Sequence, residues 1–355
     1  MKWILFFGIL GILIFVSFQL RSNKKKPQLS LSPAVSSVKP SEEFQDQSRI
    51  LFVPYWTLEE KVVSDTFDRL IYFGISANTE GIDTKEDGYK KITKFYKLAD
   101  TRRDKYLTLR MIDSKANFAI LENKDAQKNV INQTITLAKE KEFTGVVLDL
   151  EVIGLPFNSV INQINEFVKQ FYTKSKENKL EFSIMLFGDV FYRVRPYDVK
   201  KIAQYGDKIF VMSYDFHKAG GAPGPNFPFS GKEKYGYDFK TMTDNFSKIV
   251  GIEKLVIVFG LFGYDWTVDE NNHAIKPGVA LSLNNAKKKF LQNCEFKNCS
   301  VKRDSISSET EVHYKDAQEK NHIVWFEDEE SVLKKKEYLK EKGITKTAFW
   351  AYSYF

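Results

Sequence analysis

From Arg49 onward the chain alternates short runs of β-branched and aromatic residues with longer stretches whose apolar positions recur at three and four. The short runs are ILFVPYW (50–56), RLIYFGIS (69–76), KYLTLRMI (105–112), FTGVVLDLE (143–151), LEFSIMLFG (180–188), DKIFVMSYD (207–215), KLVIVFGLFGYDW (254–266) and TAFWAYSYF (347–355). Between them lie segments such as NVINQTITLAKEKEF and SVINQINEFVKQFYTKSKENK, with helical spacing and basic C-terminal ends, as a helix dipole favours. Eight strands alternating with helices predict an α/β fold, a (β/α)8 TIM barrel. A doubly wound open sheet is the rival. Against it, no Gly-x-Gly-x-x-Gly follows the first strand, and SGKE lacks both the earlier glycine and the Ser/Thr of a phosphate loop.

Before Arg49 the pattern changes twice. Trp3 to Leu20 contains only Ser17 and Gln19 as polar members. As a helix it would be about 27 Å long, enough to span a bilayer. No small-x-small cleavage site follows it, so residues 1–20 are expected to be an uncleaved membrane anchor rather than a signal peptide. Residues 21–48, rich in Ser, Pro, Lys and Gln, read as a flexible linker reaching roughly 30 Å. The folded domain is expected over 49–355, with residues 267–325 able to hold a small insertion between the seventh strand and the last helix.

The formal net charge of +7 does not mark a nucleic-acid surface, because the excess is modest outside the N-terminal segment and nowhere clustered on one face. Cys294 and Cys299 are the only cysteines. They could form a local disulfide or remain an inert pair, but alone cannot close a zinc site. The four histidines, His217, His273, His313 and His322, show no ligand spacing, so neither a metal nor another cofactor is expected. EDEESVLKKKEYLKEKG (327–343) is acidic at its start, basic at its end and stopped by Gly343, which reads as a solvated helix face.

Candidate chemistry begins with FTGVVLDLE. Side chains of a strand alternate, so Val147, Asp149 and Glu151 share one face, the barrel's inner face, at the strand's C-terminal end where such barrels carry catalytic groups. Two carboxyls so close cannot both ionise cheaply, which lets one keep its proton and act as a general acid. An Asp-x-Glu by itself, however, reads more naturally as a strand running into water.

Four ordered motifs change that balance. FTGVVLDLE, MSYD (212–215) with the following GGAPGPNFPF, GLFGYDW (260–266) and Trp350 together resemble the family 18 glycoside hydrolases, the chitinase-like (β/α)8 enzymes, including relatives of spore and peptidoglycan hydrolases. The resemblance covers residues 50–355. It implies substrate-assisted retaining hydrolysis of a glycan containing N-acetylglucosamine, with Glu151 as proton donor, Asp149 holding the acetamido N–H, and the Tyr214 hydroxyl fixing the acetamido oxygen. Trp350 would form an apolar floor, Met212 would pack beneath the sugar, and Asp215 and Tyr264 would bind ring hydroxyls. Tyr55, at the end of the first strand, joins the substrate-binding candidates. Trp56, next to it, either stacks on a sugar or seals the barrel top. His217 either touches substrate or lies in an exposed loop.

Two positions depart from the family's Asp-Gly-x-Asp-x-Asp-x-Glu: Thr144 and Val147 stand where the first two aspartates would be. The second departure favours a runner-up, a non-catalytic chitinase-like lectin; retention of Glu151 opposes it. A purely structural envelope protein would not explain why four strand-end motifs coincide. Expected partners are the polysaccharide and, through the anchor, a membrane; the domain is expected to be a monomer. Arg21, Lys24, Lys25 and Lys26 follow the anchor and argue for a cytoplasmic domain. The polymeric substrate argues for an extracytoplasmic one, and since large domains translocate largely regardless of charge, the catalytic domain is expected outside.

Overall fold

A computed structural model describes residues 49–58, 66–99 and 104–355. The anchor and linker expected over residues 1–48 lie outside the described residues. Among the described residues no helix is long and apolar enough to cross a membrane.

Seven of the barrel's strands come first: β1 (Arg49–Pro54), β2 (Arg69–Ile75), β3 (Asp104–Met111), β4 (Gly145–Leu150), β5 (Glu181–Phe187), β6 (Lys208–Ser213) and β7 (Leu255–Gly260). Five more form a separate sheet: β8 (Phe262–Val268), β9 (Val279–Ser282), β10 (Lys297–Arg303), β11 (Thr310–Lys315) and β12 (Asn321–Phe326). The last, β13 (Thr347–Trp350), slots between β1 and β7 and closes an eight-stranded barrel in the order β1–β13–β7–β6–β5–β4–β3–β2. Every neighbouring pair in the barrel is parallel. This is the TIM barrel expected from the alternation.

Helices cover the outside: α1 (Ser114–Glu122), α2 (Lys124–Glu140), α3 (Asn158–Glu177), α4 (Phe239–Ile249) and α5 (Glu329–Glu341). Polar side chains set where they start. Asp113, Asn123, Asp238 and Asp328 each accept a backbone N–H of the following first turn, and Asp328 with Ser331 completes a capping box. Along β4 the two side-chain faces divide the work. Val146 and Leu148 face the helical layer, where in the adjacent register position Phe182 meets Phe171 of α3 with ring centroids 5.0 Å apart. Val147 and Asp149 face the barrel interior.

The continuous run 254–266 is two strands. β7 ends at Gly260, and β8 starts at Phe262 in the other sheet, because the Asn226 side-chain amide takes the carbonyls of Gly260 and Phe262 at 3.1 Å each and turns the chain out of the barrel. Both halves are buried, so no polar residue marks the break. The five-stranded sheet is antiparallel, in the order β9–β8–β12–β11–β10, and has its own small core of Trp266, Val268, Ile323 and Trp325. Cys294 and Cys299 are joined as a disulfide with Cα atoms 6.2 Å apart. Helix α5 ends before Gly343, which takes a φ of 74°, but the run 327–343 is not wholly a solvated face. Glu327 and Lys335 are completely buried and paired with each other, and Ser331, Val332 and Leu339 are buried beside them. Charge alternation along the helix marks polar residues without revealing which of them meets a partner inside.

Candidate active site

The C-terminal ends of the barrel strands surround a cleft of about 830 Å³, a size that suits a ligand of a few sugar rings. Asp149, Glu151, Met212, Tyr214, Asp215, Tyr264 and Trp350 all line it, together with Trp56, Phe73, Phe187, Asp189, Lys218, Phe262 and Tyr354. Tyr55 does not. The short turn Tyr55–Thr57 sends its ring behind the wall, 5.5 Å from the Arg110 guanidinium, and gives the cleft position to Trp56, which is 44% exposed. His217 is neither in the cleft wall nor in an exposed loop: it is half-buried, with Nδ1 2.7 Å from the Pro225 carbonyl.

Trp350 is the hub of the floor. Its ring meets Phe73 edge-on at 4.7 Å, Phe52 at 5.8 Å and Trp56 at 6.2 Å, and it lies nearly parallel to Tyr214 at 6.2 Å. Tyr214 can take this place because β7 passes close behind it. A Cβ on Gly260 would come within 2.6 Å of the Tyr214 Cβ, which only glycine avoids.

Asp215 adopts a left-handed backbone with φ of 59°, uncommon outside glycine and Asn/Asp, and two contacts hold it there. Its N–H donates to Asn226 Oδ1 at 2.7 Å, and its carboxylate accepts the Tyr264 hydroxyl at 2.7 Å. Asn226 is held in turn by Glu309, whose carboxylate accepts the N–H groups of Asn226 (2.6 Å) and Phe227 (2.8 Å). An acid at the start of β11 therefore supports a loop of the cleft from behind.

The fold, the strand-end acids and the aromatic floor bring the four motifs into one cleft, and a family model for glycosyl hydrolases family 18 matches residues 23–354. The chain belongs to glycosyl hydrolase family 18. It is similar to the uncharacterized glycosylase YvbX of Bacillus subtilis, 26% identical over 240 residues that cover 65% of this chain and 64% of YvbX. It is also similar to the cortical fragment-lytic enzyme of Bacillus subtilis, 24% identical over 237 residues covering 65% of this chain and 51% of that enzyme. The chain thus spans about half to two thirds of the length of these curated relatives. Among solved structures, human YKL-39, described as a pseudo-chitinase with retained chitooligosaccharide binding properties, shares the fold with a TM-score of 0.72 at 15% identity, covering 86% of this chain and 92% of that one.

Within this family 18 cleft Asp149 of β4 and Glu151 just past it sit in unusual surroundings. Burial pushes Asp149 well above the ordinary carboxylate range, the neighbouring Glu151 charge pushes it further, and Arg110, its register neighbour on β3, opposes the shift. Burial also raises Glu151, with Lys218 acting against the rise and Asp215 adding to it. Asp215 is raised by burial, against which the Tyr264 hydrogen bond acts. The Oδ1 of Asp149 has no hydrogen-bond partner among the described residues, and the same holds for Thr108 Oγ1 and Ser183 Oγ. Thr108 and Ser183 are the register neighbours of Val147 on β3 and β5. The position where the family carries its inner aspartate thus holds a valine flanked by two unpartnered hydroxyls.

Several residues of the site carried no signal in the sequence. Asn226 lies inside the quoted loop GGAPGPNFPF, yet nothing in that pattern singles it out as the amide that holds Asp215. Lys218, Asp189 and Glu309 belong to no motif. Asp189 is bound on both sides by Arg193 at 2.9 Å and Arg195 at 2.8 Å, which stiffens the loop after β5. Among the described residues no group of three or more His, Cys, Asp or Glu side chains is arranged to hold a metal ion.

Proposed function

We propose that the protein hydrolyses β-linked glycans containing N-acetylglucosamine, chitin-like or peptidoglycan, by a substrate-assisted retaining mechanism. What carries the reading is the pair of Asp149, near the end of β4, and Glu151, one residue past it, both raised by burial, opening into a cleft floored by Tyr214 and Trp350. In the free protein burial favours a proton on Asp149, the more deeply buried acid. A sugar that offers its acetamido N–H to Asp149 favours the ionised form there and leaves the proton with Glu151.

Glu151 then protonates the glycosidic oxygen as the C1–O bond breaks, while the acetamido carbonyl oxygen, held by the Tyr214 hydroxyl, bonds to C1 and forms an oxazolinium ion. Asp149 stabilises its positive charge. Water, deprotonated by the Glu151 carboxylate, opens the ring from the same face and restores the acid, with net retention. Tyr264, Asp215 and Met212 line the sugar's surroundings, and Trp350 covers its apolar face. Peptidoglycan and chitin-like polymers are the two substrate classes to test, and we infer that the domain works on the outer side of a membrane, where such polymers lie.

The second reading, a lectin of the same fold, is favoured by Val147 in place of the inner acid. The two separate on one assay, in which the purified protein is incubated with N-acetylated chito-oligosaccharides and with peptidoglycan, and products are analysed by mass. New reducing ends on either polymer support the enzyme. Binding without any product would leave the lectin.

A further inference from the structure

The acid of the proposed mechanism is held by residues that lie outside the cleft wall. Tyr197, in the loop after β5, reaches both backbone neighbours of Glu151: its hydroxyl donates to the Leu150 carbonyl at 2.7 Å and accepts the Val152 N–H at 2.6 Å. From the α1 side, Asn117 donates through its side-chain amide to the carbonyls of Glu151 (2.8 Å) and Met111 (2.7 Å). The Glu151 N–H donates to the same Met111 carbonyl at 2.8 Å. β4 ends at Leu150. Beyond that residue the barrel ladder no longer fixes the chain, and a strand end with free polar groups would fray into water. Here the carbonyls of Leu150 and Glu151 and the N–H groups of Glu151 and Val152 are all bonded, so the residue carrying the acid is fixed one position past its strand.

The clamp is itself rigid. The Tyr197 ring lies edge-on to Phe187 at 6.1 Å, Arg195 stacks over the other part of this wall with its guanidinium carbon 3.7 Å from the Phe187 ring centroid, and Asp189 ties Arg195 and Arg193 together. Burial raises the Tyr197 phenol, so it keeps its proton and remains a donor across the working pH range. We propose that Tyr197, with Asn117, is a positioning residue for the general acid, resting on the reading of Glu151 as proton donor. Proton transfer tolerates little error in placement, and a displacement of about 1 Å can cost on the order of a hundredfold in rate.

In the bond-breaking step, which kcat/KM reports, a residue that acts through the acid matters only where the leaving group needs a proton, whereas kcat also carries the water step in which Glu151 is the base. The test compares the full-length protein with Tyr197→Phe on two substrates, an N-acetylated chito-oligosaccharide and the 2,4-dinitrophenyl glycoside of the same oligosaccharide, whose phenolate leaves without protonation. On the oligosaccharide kcat/KM should fall about tenfold, and on the dinitrophenyl glycoside kcat/KM should stay within about twofold of the parent. Unchanged kcat/KM on both substrates, or an equal loss of kcat/KM on both, overturns the proposal. If Tyr197→Phe does not fold, Asn117→Leu must show the same split, and an equal loss there overturns it too. Failure of the underlying reading looks different: the parent cleaves neither substrate, or Glu151→Gln cleaves the oligosaccharide as fast as the parent, and the positioning role falls with it.

Discussion

The ammonium of Lys335 on α5 lies 3.2 Å from a carboxylate oxygen of Glu309, and neither side chain reaches solvent. Glu327 shares the same ammonium, so two carboxylates face one cation in the interior, and burial keeps Glu327 raised to about 8. Lys335→Met would leave both acids without their cation and should destabilise the fold by about 3–5 kcal/mol. Because Glu327 titrates higher in the folded than in the unfolded chain, its contribution is complete below the ordinary glutamate value and lost as pH rises through about 8. Thermal melts at pH 6 and pH 9 should therefore differ less in Glu327→Gln than in the parent; an identical or larger difference refutes the assignment.

Glu151→Gln keeps the shape of the side chain and removes its proton. Hydrolysis should fall at least about a hundredfold while glycan binding survives. The parent should lose kcat as pH rises through the raised Glu151 value. Lys218 holds that value down, so Lys218→Met should move the alkaline limb to higher pH. A limb that moves down, or does not move, speaks against Glu151 as the acid.

Asp149 sets activity against stability. Its Oδ1 is buried without a partner among the described residues, and its charge is opposed by burial. Asp149→Asn should make the protein more stable at pH 8 by on the order of 1–3 kcal/mol while nearly abolishing turnover. The gain should shrink towards pH 3, below the ordinary aspartate value of 3.8, where Asp149 is mostly protonated in both states. Urea unfolding at the two pH values measures it, and a variant less stable at pH 8 would contradict the account.

Val147→Asp introduces a buried acid where that is ordinarily costly. Here Thr108 and Ser183 offer two unused hydroxyls on the flanking strands, and Asp149 can share a proton with the new acid. The variant should fold and raise kcat severalfold on an N-acetylated oligosaccharide. Collapse of the fold, or a lower kcat, would mean that the hydroxyls do not form a seat for a carboxylate.

Substrate chemistry tests the nucleophile directly. A glycan with a free 2-amino group at the cleaved sugar has no carbonyl oxygen to attack C1, so fully de-N-acetylated oligomers should not be cleaved. Cleavage should follow only N-acetylated sugars on the non-reducing side, with the β-anomer released first, as proton NMR of early products would show. An α-anomer first, or comparable rates on the de-N-acetylated oligomer, removes the roles given to Asp149 and Tyr214. Asp149 and Glu151 on one strand face are too close to flank a sugar from opposite sides, as a carboxylate nucleophile would need.

Period-two alternation puts Asp149 and Glu151 on one side of the run 143–151, and helical spacing between eight apolar runs was enough to specify the barrel. Local pattern reports these features because each depends on residues a few positions apart. Met212, Tyr214 and Trp350 were legible only through the resemblance of four ordered motifs to family 18, because taken singly Met212 and Trp350 read as ordinary core. The sequence makes Tyr55 a substrate-binding candidate and leaves Trp56 between stacking on a sugar and sealing the barrel top, because the direction of a side chain in a three-residue turn follows from backbone geometry that one-dimensional pattern does not carry.

Tertiary structure alone decided the rest. Glu309 meets Asn226 across 83 positions of chain, and Tyr197 meets Val152 across 45; nothing in the local pattern at either end changes when the partner is absent. Lys335 reads as one lysine among three, yet it is the one wholly buried against two acids. Whether a charged residue is solvated or paired in the interior is set by what packs over it. The sequence by itself thus determined the barrel and the face on which its acids stand, while the contacts that hold Glu151 and Asp215 in place arise only when distant loops close over them and their polar groups, cut off from water, must find one another.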